Sequence, residues 1–211
     1  MKHLILLFSL LMLASCTSVE DPWLDGVSTG ATTGSAAAGG INRELSPQLA
    51  AADLPAIGAT PIAVRQLSSE DGSVQQIVFP NKATIAGENM LVVREVVAGS
   101  SAARKAPTSA ELSREMRKAM PGVAMDVTPV LGSNAYGPYG AARGTLPSGG
   151  GCVYAWQVVN RPAVAFGQSA KAVQVRLRYC DADRKAEELV SLLSSLTLSS
   201  GRATAMAPLA Y

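Results

Sequence analysis

Two strand-like segments that each contain one cysteine constrain the fold of this chain more than any other feature. Residues 152–160, CVYAWQVVN, and residues 172–180, AVQVRLRYC, are rich in β-branched and aromatic side chains. Antiparallel pairing with Cys152 opposite Cys180 would bring the two sulfur atoms together. The same register predicts one apolar face, made of Val153, Ala155, Val159, Val173, Leu177 and Tyr179. Because one register joins the sulfurs and also sorts the side chains, the pairing and its disulfide support each other.

The opposite face of this hairpin combines aromatic and cationic side chains. In the same register Tyr154 faces Arg178 and Trp156 faces Arg176, on the side of the cystine. An aromatic ring beside a guanidinium group can contact a sugar or a partner protein, because the ring stacks while the arginine donates hydrogen bonds. The other interpretation is cross-strand packing that only stabilises the sheet. Both interpretations stay open from the residues alone.

The first sixteen residues predict export and lipid attachment. Lys2 and His3 precede an apolar stretch of about a dozen residues, which is typical of a signal peptide. The stretch is too short for a transmembrane helix, which needs roughly 20 apolar residues. Residues 13–16, Leu-Ala-Ser-Cys, resemble the lipobox of bacterial lipoproteins, in which the cysteine is acylated. We therefore expect a signal peptide over residues 1–15 and fatty acyl chains such as palmitate on Cys16.

The expected location follows from that cysteine. Each buried methylene contributes about 0.8 kcal/mol, so two or more acyl chains give a stable membrane anchor. Thr17 follows Cys16, instead of the aspartate that signals inner-membrane retention in enteric bacteria. We expect the inner leaflet of the outer membrane, with the protein facing the periplasm.

The cysteine and histidine counts exclude several kinds of site. Once Cys16 is acylated, Cys152 and Cys180 remain, and an even pair in an oxidising compartment predicts a disulfide. Two cysteines are too few for a cysteine-only zinc site, and the only histidine, His3, lies in the signal peptide. Histidine-dependent triads are thus excluded from the exported chain. We predict no metal and no cofactor, and the net charge of +2 predicts no nucleic acid partner.

The exported chain is predicted to consist of a tether, a folded domain and a tail. Residues 16–60 are rich in Gly, Ala, Ser and Thr and predict a flexible, lipidated tether. Residues 61–198 contain the periodic apolar patterns of one α+β domain. Residues 199–211 are small and predict a flexible tail.

The first half of this domain predicts three strands and then a helix. Strands are predicted over residues 61–68, 73–79 and 89–97, and a helix over 109–119. Asp71-Gly72 favours a hairpin between the first two strands. Thr108 and Glu111 have the spacing of a capping box at the start of the helix. The buried face of the helix is predicted to contain Leu112, Met116 and Met120.

The second half repeats this order after a short predicted strand over residues 125–131 and a long glycine-rich segment. Residues 132–151 predict a loop, and its Tyr136 and Tyr139 are further candidates for a partner or glycan contact. The two cysteine-containing strands follow, and residues 181–198 predict a helix. Its buried stripe is predicted to consist of Leu189, Leu192, Leu193 and Leu196. The order ββ(β)α–ββα predicts an α+β fold, an antiparallel sheet with two helices on one face.

Two longer stretches resemble a known family. QQIVFPNKATIAGENMLVVRE and GGGCVYAWQVV, behind a lipobox and a glycine-rich tether, are similar to the BcsN-type cellulose biosynthesis proteins of alphaproteobacteria. The resemblance covers roughly residues 60–198. It implies a role in bacterial cellulose production and export, with other cellulose synthase and secretion proteins as partners. It provides no catalytic residues to assign to this sequence.

Three functions are compatible with these observations. The favoured hypothesis is a non-enzymatic periplasmic lipoprotein that helps to assemble the cellulose secretion machinery. The alternative is a glycan-binding module that holds the exported polymer. An enzyme is the third, because a glycosidase needs two carboxylates about 5 to 10 Å apart. Its candidate residues are Glu88, Glu95, Glu111, Glu115, Asp181 and Asp183, but most have an ordinary role in a cap, a turn or a helix surface, so we predict no enzyme.

Overall fold

The computed structural model describes residues 41–69, 72–97, 106–160 and 170–199. The strands are β1 (Ile41–Leu45), β2 (Ala52–Asp53), β3 (Ala63–Ser69), β4 (Gly72–Phe79), β5 (Asn89–Val97), β6 (Met125–Asn134), β7 (Gly137–Thr145), β8 (Gly151–Asn160), β9 (Ala170–Asp181) and β10 (Thr197–Leu198). The helices are α1 (Ser109–Ala119) and α2 (Ala186–Leu189), and short 3₁₀ turns span Pro47–Leu49, Pro55–Ile57 and Leu192–Ser195.

Eight of these strands form one antiparallel sheet. Its spatial order is β1-β3-β4-β5-β9-β8-β7-β6, while β2 and β10 pair separately. The α+β class and the antiparallel sheet predicted from the sequence are therefore confirmed. The Cys-bearing strands β8 and β9 lie inside the sheet, where both have neighbours on each side.

The register of β8 and β9 is the predicted one. Cys152 lies opposite Cys180, Tyr154 opposite Arg178 and Trp156 opposite Arg176. A disulfide joins the two cysteines, whose Cα atoms are 4.1 Å apart. This separation is typical of a non-hydrogen-bonded pair, in which the backbone groups point to the other neighbours.

The two helices pack on opposite faces of the sheet, which corrects the prediction of one shared face. The face that carries the cystine packs against Leu112, Met116 and Met120 of the α1 region. The other face, with Val153 and Leu177, packs against α2 and the 3₁₀ turn that follows it. Side chains alternate between the two faces of a strand, so β7, β8 and β9 each supply buried side chains to both cores. The sequence pattern cannot reveal which of two half-apolar faces a helix selects.

Residues 41–57 belong to the folded domain, so the predicted tether is wrong for residues 41–60. β1 pairs with β3 at one edge of the sheet. Leu54 and Ile57 are buried in the core, and Ser199 donates its backbone N–H to Ala51 O. The small-residue composition hid these elements, because each is only two to five residues long. The remaining tether, residues 16–40, lies outside the described residues, as do the signal peptide, Cys16 and most of the tail.

The glycine-rich segment 132–151 is mostly sheet, not a loop. β6 and β7 form a hairpin whose turn ends at Gly137, with a φ of 112°. Its glycines are compatible with strands because aromatic rings cover two of them. A Cβ on Gly132 would lie 2.3 Å from the Tyr139 ring, and one on Gly140 would lie 2.5 Å from the Trp156 ring. These contacts come from neighbouring strands, so composition alone does not predict them.

The two predicted helices differ in outcome. α1 spans the predicted residues, and Thr108 and Glu111 form the predicted capping box. The predicted helix over 181–198 is broken into α2, a 3₁₀ turn and β10, although its four leucines are buried as expected. Within the described ranges, no helix has the length and apolar character needed to span a bilayer.

Candidate functional site

A buried polar cluster joins α1 to the centre of the sheet. Glu115 lies on the inner side of α1, one position before Met116, and its side chain is only 7% exposed. Its Oε2 accepts a hydrogen bond of 2.6 Å from the Tyr154 hydroxyl and one of 2.9 Å from Arg176 Nε. We call these three residues the α1 cluster. Tyr154 and Arg176 belong to the contact surface predicted from the sequence, and Glu115 is one of the candidate carboxylates.

The α1 cluster is suited to fixing the helix on the sheet. A buried ion pair repays the cost of removing two charges from water only when geometry and hydrogen bonding are good. Here the carboxylate meets a guanidinium and a hydroxyl at short distances, and Arg176 also donates to Val175 O. The carboxylate is therefore directed at internal partners and lies away from solvent. These hydrogen bonds fix the position of α1 on the sheet, and they leave the carboxylate engaged rather than available to react.

Arg178 organises the region beside the α1 cluster. Its three nitrogens donate to backbone carbonyl oxygens of Ala119 at 2.6 Å, Glu88 at 2.5 Å and Ala86 at 2.6 Å. Ala119 is the last residue of α1, so one of these bonds satisfies a helix-terminal carbonyl. Burial lowers the pKa of Arg178 to about 10, although the charge of Glu88 opposes that shift. The arginine remains charged at neutral pH and ties the β4–β5 loop, residues 80–88, to α1.

Two asparagines hold the same loop from the inside. Asn81 donates to Gly87 O at 2.7 Å and accepts from the Ala83 backbone N–H at 3.0 Å. Asn89 donates to Pro80 O and Cys180 O, and it accepts from the Cys180 backbone N–H at 2.8 Å. The Asn89 side-chain amide thus makes the two hydrogen bonds to the Cys180 backbone that a neighbouring strand would otherwise make. The loop is a well-supported part of the fold rather than an open connection.

Glu88 is paired with Arg65 from β3. The contacts are bidentate, with Arg65 Nη1 to Oε2 at 2.6 Å and Nη2 to Oε1 at 2.8 Å. These hydrogen bonds from Arg65 hold the pKa of Glu88 below its ordinary value, while partial burial opposes the shift. The same pair raises the pKa of Arg65. Glu88, which the sequence left without a structural role, is therefore an ionised partner in a fork-shaped ion pair.

Glu95 has the opposite perturbation. Burial raises its pKa, and a hydrogen bond with the Ser73 side chain partly opposes that effect. Glu88 and Glu95 are separated by most of β5, which is about 23 Å along an extended chain. A glycosidase pair needs about 5 to 10 Å. These two carboxylates therefore cannot act together across one sugar.

Two of the other candidate carboxylates, those of Glu111 and Asp181, also have identified partners. Glu111 accepts from the Thr108 backbone N–H in the capping box. Asp181 accepts from the backbone N–H groups of Asp183 and Arg184, which closes the turn after β9. Asp183 itself is exposed in that turn. In the described ranges, no group of three or more His, Cys, Asp or Glu residues is arranged to hold a metal ion.

The structure brings together the aromatic and arginine residues predicted as a contact surface, but it covers most of them. Tyr154, Arg176 and Arg178 are 2%, 5% and 4% exposed, because α1 and the β4–β5 loop lie over them. The predicted open platform is therefore corrected to a buried cluster. Trp156 alone of the four is half-buried and reaches the surface.

The two tyrosines of the predicted loop also have internal roles. Tyr139 is buried, which raises the pKa of its hydroxyl, and its ring covers Gly132. Tyr136 accepts a 2.8 Å hydrogen bond from the Leu198 backbone N–H and so anchors β10. Neither residue lies beside Trp156 on the cystine face, since Tyr139 belongs to the opposite core.

Sequence reasoning named Glu115 as a candidate carboxylate but missed its buried structural role, and it missed the surface beside Trp156. Glu115 carried a usable signal, because it falls between Leu112 and Met116 on the apolar side of α1. A glutamate in that position needs a buried partner. Gly140 was missed because residues 132–151 were predicted as a loop, and Leu131 was missed because the strand predicted over residues 125–131 was given no partner. Leu131 is 79% exposed and lies beside Gly140, which lies beside Trp156.

Comparisons with known proteins give one family. A family model described as cellulose biosynthesis protein BcsN matches residues 52–210. The match begins at β2 and therefore includes residues that the sequence pattern assigned to the tether. No curated protein and no solved structure matches the chain.

Proposed function

The chain belongs to the BcsN family of cellulose biosynthesis proteins, and from this premise we propose that it is a non-enzymatic accessory lipoprotein of cellulose secretion. A lipid on Cys16 anchors the chain in the inner leaflet of the outer membrane, and the sheet domain faces the periplasm. The domain positions other proteins of the cellulose synthesis and secretion machinery. The family supports the pathway, and the residues support the location and the mode of action.

The disulfide is the observation that carries the proposed location. Cys152 and Cys180 are bonded inside the sheet, and such bonds persist in oxidising compartments such as the periplasm. The signal-like residues 1–15 and the lipobox-like residues 13–16 lead to the same compartment. A chain kept in the reducing cytosol would gain little from two cysteines in this register.

The engagement of the carboxylates supports a role without catalysis. The carboxylates of Glu115 and Glu88 both accept hydrogen bonds from arginines inside the fold, and Asp181 closes a turn. A general acid or base must instead reach the bond that it protonates or deprotonates. The hydrogen-bonded β4–β5 loop and the nearby Cys152–Cys180 disulfide suit a domain that holds its shape for a partner.

Replacing Cys16 tests the proposal directly. We expect the wild-type chain to fractionate with membranes and to incorporate labelled palmitate in a cellulose-producing bacterium that encodes it. The Cys16→Ser variant loses the label and leaves the membrane fraction, and cellulose output falls because the domain is no longer held at its place.

The Cys152→Ala/Cys180→Ala double variant is the matched control. It removes the other two sulfurs but keeps the lipid site, so it retains label and membrane fractionation. A Cys16→Ser protein that still carries palmitate, or normal cellulose output after deletion of the whole chain, would contradict the proposal.

A further inference from the structure

We propose that a strip of surface around Trp156 binds a single neutral β-linked glucan chain by stacking one sugar ring on the indole. This inference rests on the proposed function, because it takes the exported polymer as the ligand. The strip consists of Leu131, Ser133, Pro138, Trp156 and Val158, and we call it the Trp156 strip. It lies on the cystine face of the sheet, where strands β6, β7 and β8 run side by side.

The register places these residues next to one another. Leu131 pairs with Gly140, and Gly140 pairs with Trp156, so the three lie in one row across the strands. Ser133 pairs with Pro138 in the next row, and Val158 lies two residues beyond Trp156 on the same face. Neighbouring strands are about 4.8 Å apart. The rows therefore form one continuous surface.

The indole ring lies flat on Gly140. A Cβ on that glycine would be 2.5 Å from both Cε2 and Cζ2 of Trp156 and 2.9 Å from Nε1. If the glycine lay at the edge of the ring, outside the Cε2–Cζ2 bond, Nε1 would be the atom nearest to the Cβ position. Nε1 is instead the farthest of the three atoms, so the face of the ring lies over the glycine. The missing side chain of Gly140 thus creates the space in which the ring lies. Trp156 packs in part against the core beneath α1 but is only half-buried, so part of its ring remains at the surface for a ligand.

The indole N–H is available as a donor. In the described part of the chain no buried side-chain nitrogen or oxygen lacks a hydrogen-bond partner, and Nε1 of Trp156 has no partner there. The N–H therefore reaches solvent at the ring edge. Stacking on an apolar sugar face together with a hydrogen bond to a hydroxyl is what a flat ring with one polar edge can offer.

The charge and size of the strip favour a neutral glycan over other ligands. Its five residues carry no charge, whereas a phosphate-rich or acidic polymer would need lysine or arginine. Leu131, Ser133 and Pro138 are exposed. Three strands and two rows cover about 14 Å by about 7 Å, or about 100 Å². A stable protein interface needs about 800 Å² per partner, so the strip is the size of sugar rings rather than of a protein.

Retention on insoluble cellulose tests this inference. We expect the full exported chain, solubilised in detergent, to bind microcrystalline cellulose but not cross-linked dextran, which is α-linked. The Trp156→Leu variant should bind about tenfold more weakly, because it loses the stacking face and the N–H. Cellohexaose should change the fluorescence of Trp156 when the other tryptophan is replaced by Trp23→Phe.

A second pair of variants guards against loss of the fold. Leu131→Ser removes an exposed apolar side chain from the strip and should weaken retention several-fold. Ile62→Ser removes one that is 63% exposed elsewhere and should leave retention unchanged. Both should keep the wild-type melting temperature. Equal retention of Leu131→Ser and Ile62→Ser, or no binding of the wild type to cellulose, would overturn the inference.

Failure here is distinguishable from failure of the proposed function. If the wild type does not bind cellulose while Cys16→Ser still abolishes membrane fractionation and cellulose output, only the glycan contact is wrong. If Trp156→Leu loses an envelope protein in crosslinking while no variant changes cellulose retention, the strip is a protein contact and the inference is also wrong.

Discussion

Glu115 is buried between α1 and the sheet, with Tyr154 and Arg176 as partners. We predict that Glu115→Ala lowers the free energy of unfolding by about 3 to 5 kcal/mol, because it leaves the charge of Arg176 buried without its carboxylate. Urea denaturation measures this change. Glu187, which contacts Arg143 at 3.8 Å on the surface, is the matched control. Glu187→Ala should cost less than about 1 kcal/mol, and equal effects would contradict a special role of Glu115.

Gly87 is needed for two separable reasons. Its φ is 99°, and a Cβ would lie 2.8 Å from Nη2 of Arg178. Gly58 has a φ of 71° with open space around its Cβ position. We predict that Gly58→Ala costs about 1 to 2 kcal/mol from backbone strain alone. Gly87→Ala should cost about 1.5 to 3 kcal/mol more, because Arg178 must give up a bond to Ala86. Similar melting temperatures for both variants would disprove the contact with Arg178.

The Glu88–Arg65 pair makes stability depend on pH. The folded-state pKa of Glu88 lies below its ordinary value of 4.5. Its contribution to stability is therefore complete above pH 4.5 and is lost as the pH falls through the lower folded-state pKa. We predict that Glu88→Gln flattens the loss of stability on acidification, measured by urea denaturation at a series of pH values. The effect is modest, because the pair is about one third exposed.

Glu95 provides a control of opposite sign. Burial raises its folded-state pKa above 4.5. Its contribution is present below pH 4.5 and is lost as the pH rises through the raised pKa. Glu95→Gln should therefore improve stability relative to the wild type near neutral pH. If Glu88→Gln and Glu95→Gln change the pH dependence in the same direction, the assignment of the two shifts is incorrect.

At the scale of elements, the β8–β9 hairpin depends on its disulfide. Cys152 and Cys180 are 28 residues apart, and closing a loop of that length stabilises the fold by about 3 to 4 kcal/mol in the chain-entropy model. We predict that a reducing agent lowers the melting temperature of the wild type. The Cys152→Ala/Cys180→Ala variant starts at the lower temperature and does not respond to the reductant. An unchanged melting temperature in protein shown to be oxidised would contradict this role.

The elements also differ in how far local sequence predicts them. α1 was predicted to the residue because its cap, stripe and stop all lie within the helix and its flanks. The segment after β9 has the same apolar spacing, yet it bends into a 3₁₀ turn and then pairs β10 with β2. That pairing joins residues about 145 positions apart, since Leu198 lies opposite Ala52. Helical periodicity depends only on residues within a few turns, so it carries no information about such a distant partner.

At the scale of the whole molecule, the folded domain begins at or before residue 41. We predict that a chain starting at residue 41 keeps the wild-type melting temperature. A chain starting at residue 61 loses β1, β2 and the buried side chains of Leu54 and Ile57, which contribute about 1.5 to 3 kcal/mol each. It should melt markedly lower or aggregate. Equal stability of the two chains would show that residues 41–60 act only as a tether.

The surface residues of the candidate site are also a property of the whole molecule. Trp156 was identified from the sequence, and its register opposite Arg176 is as predicted. Its true neighbours on the surface are Gly140, whose strand was concealed by its glycine and proline content, and Leu131, at the end of the predicted strand 125–131. Tyr154, Arg176 and Arg178 share its face, but α1 is placed over them by Glu115, a carboxylate 39 residues from Tyr154 and 61 residues from Arg176 in the chain.

The sequence by itself determined the α+β class, the strand register around the cysteines, the capped helix α1 and the buried leucines, because each depends on spacing between residues that are near in the chain or are joined by one covalent bond. Only the tertiary structure decided which face α1 covers, which polar residues it buries and which aromatic ring reaches the surface. Two half-apolar faces of one sheet compete for the same helix, and the choice between them depends on the summed packing and charge pairing of distant strands.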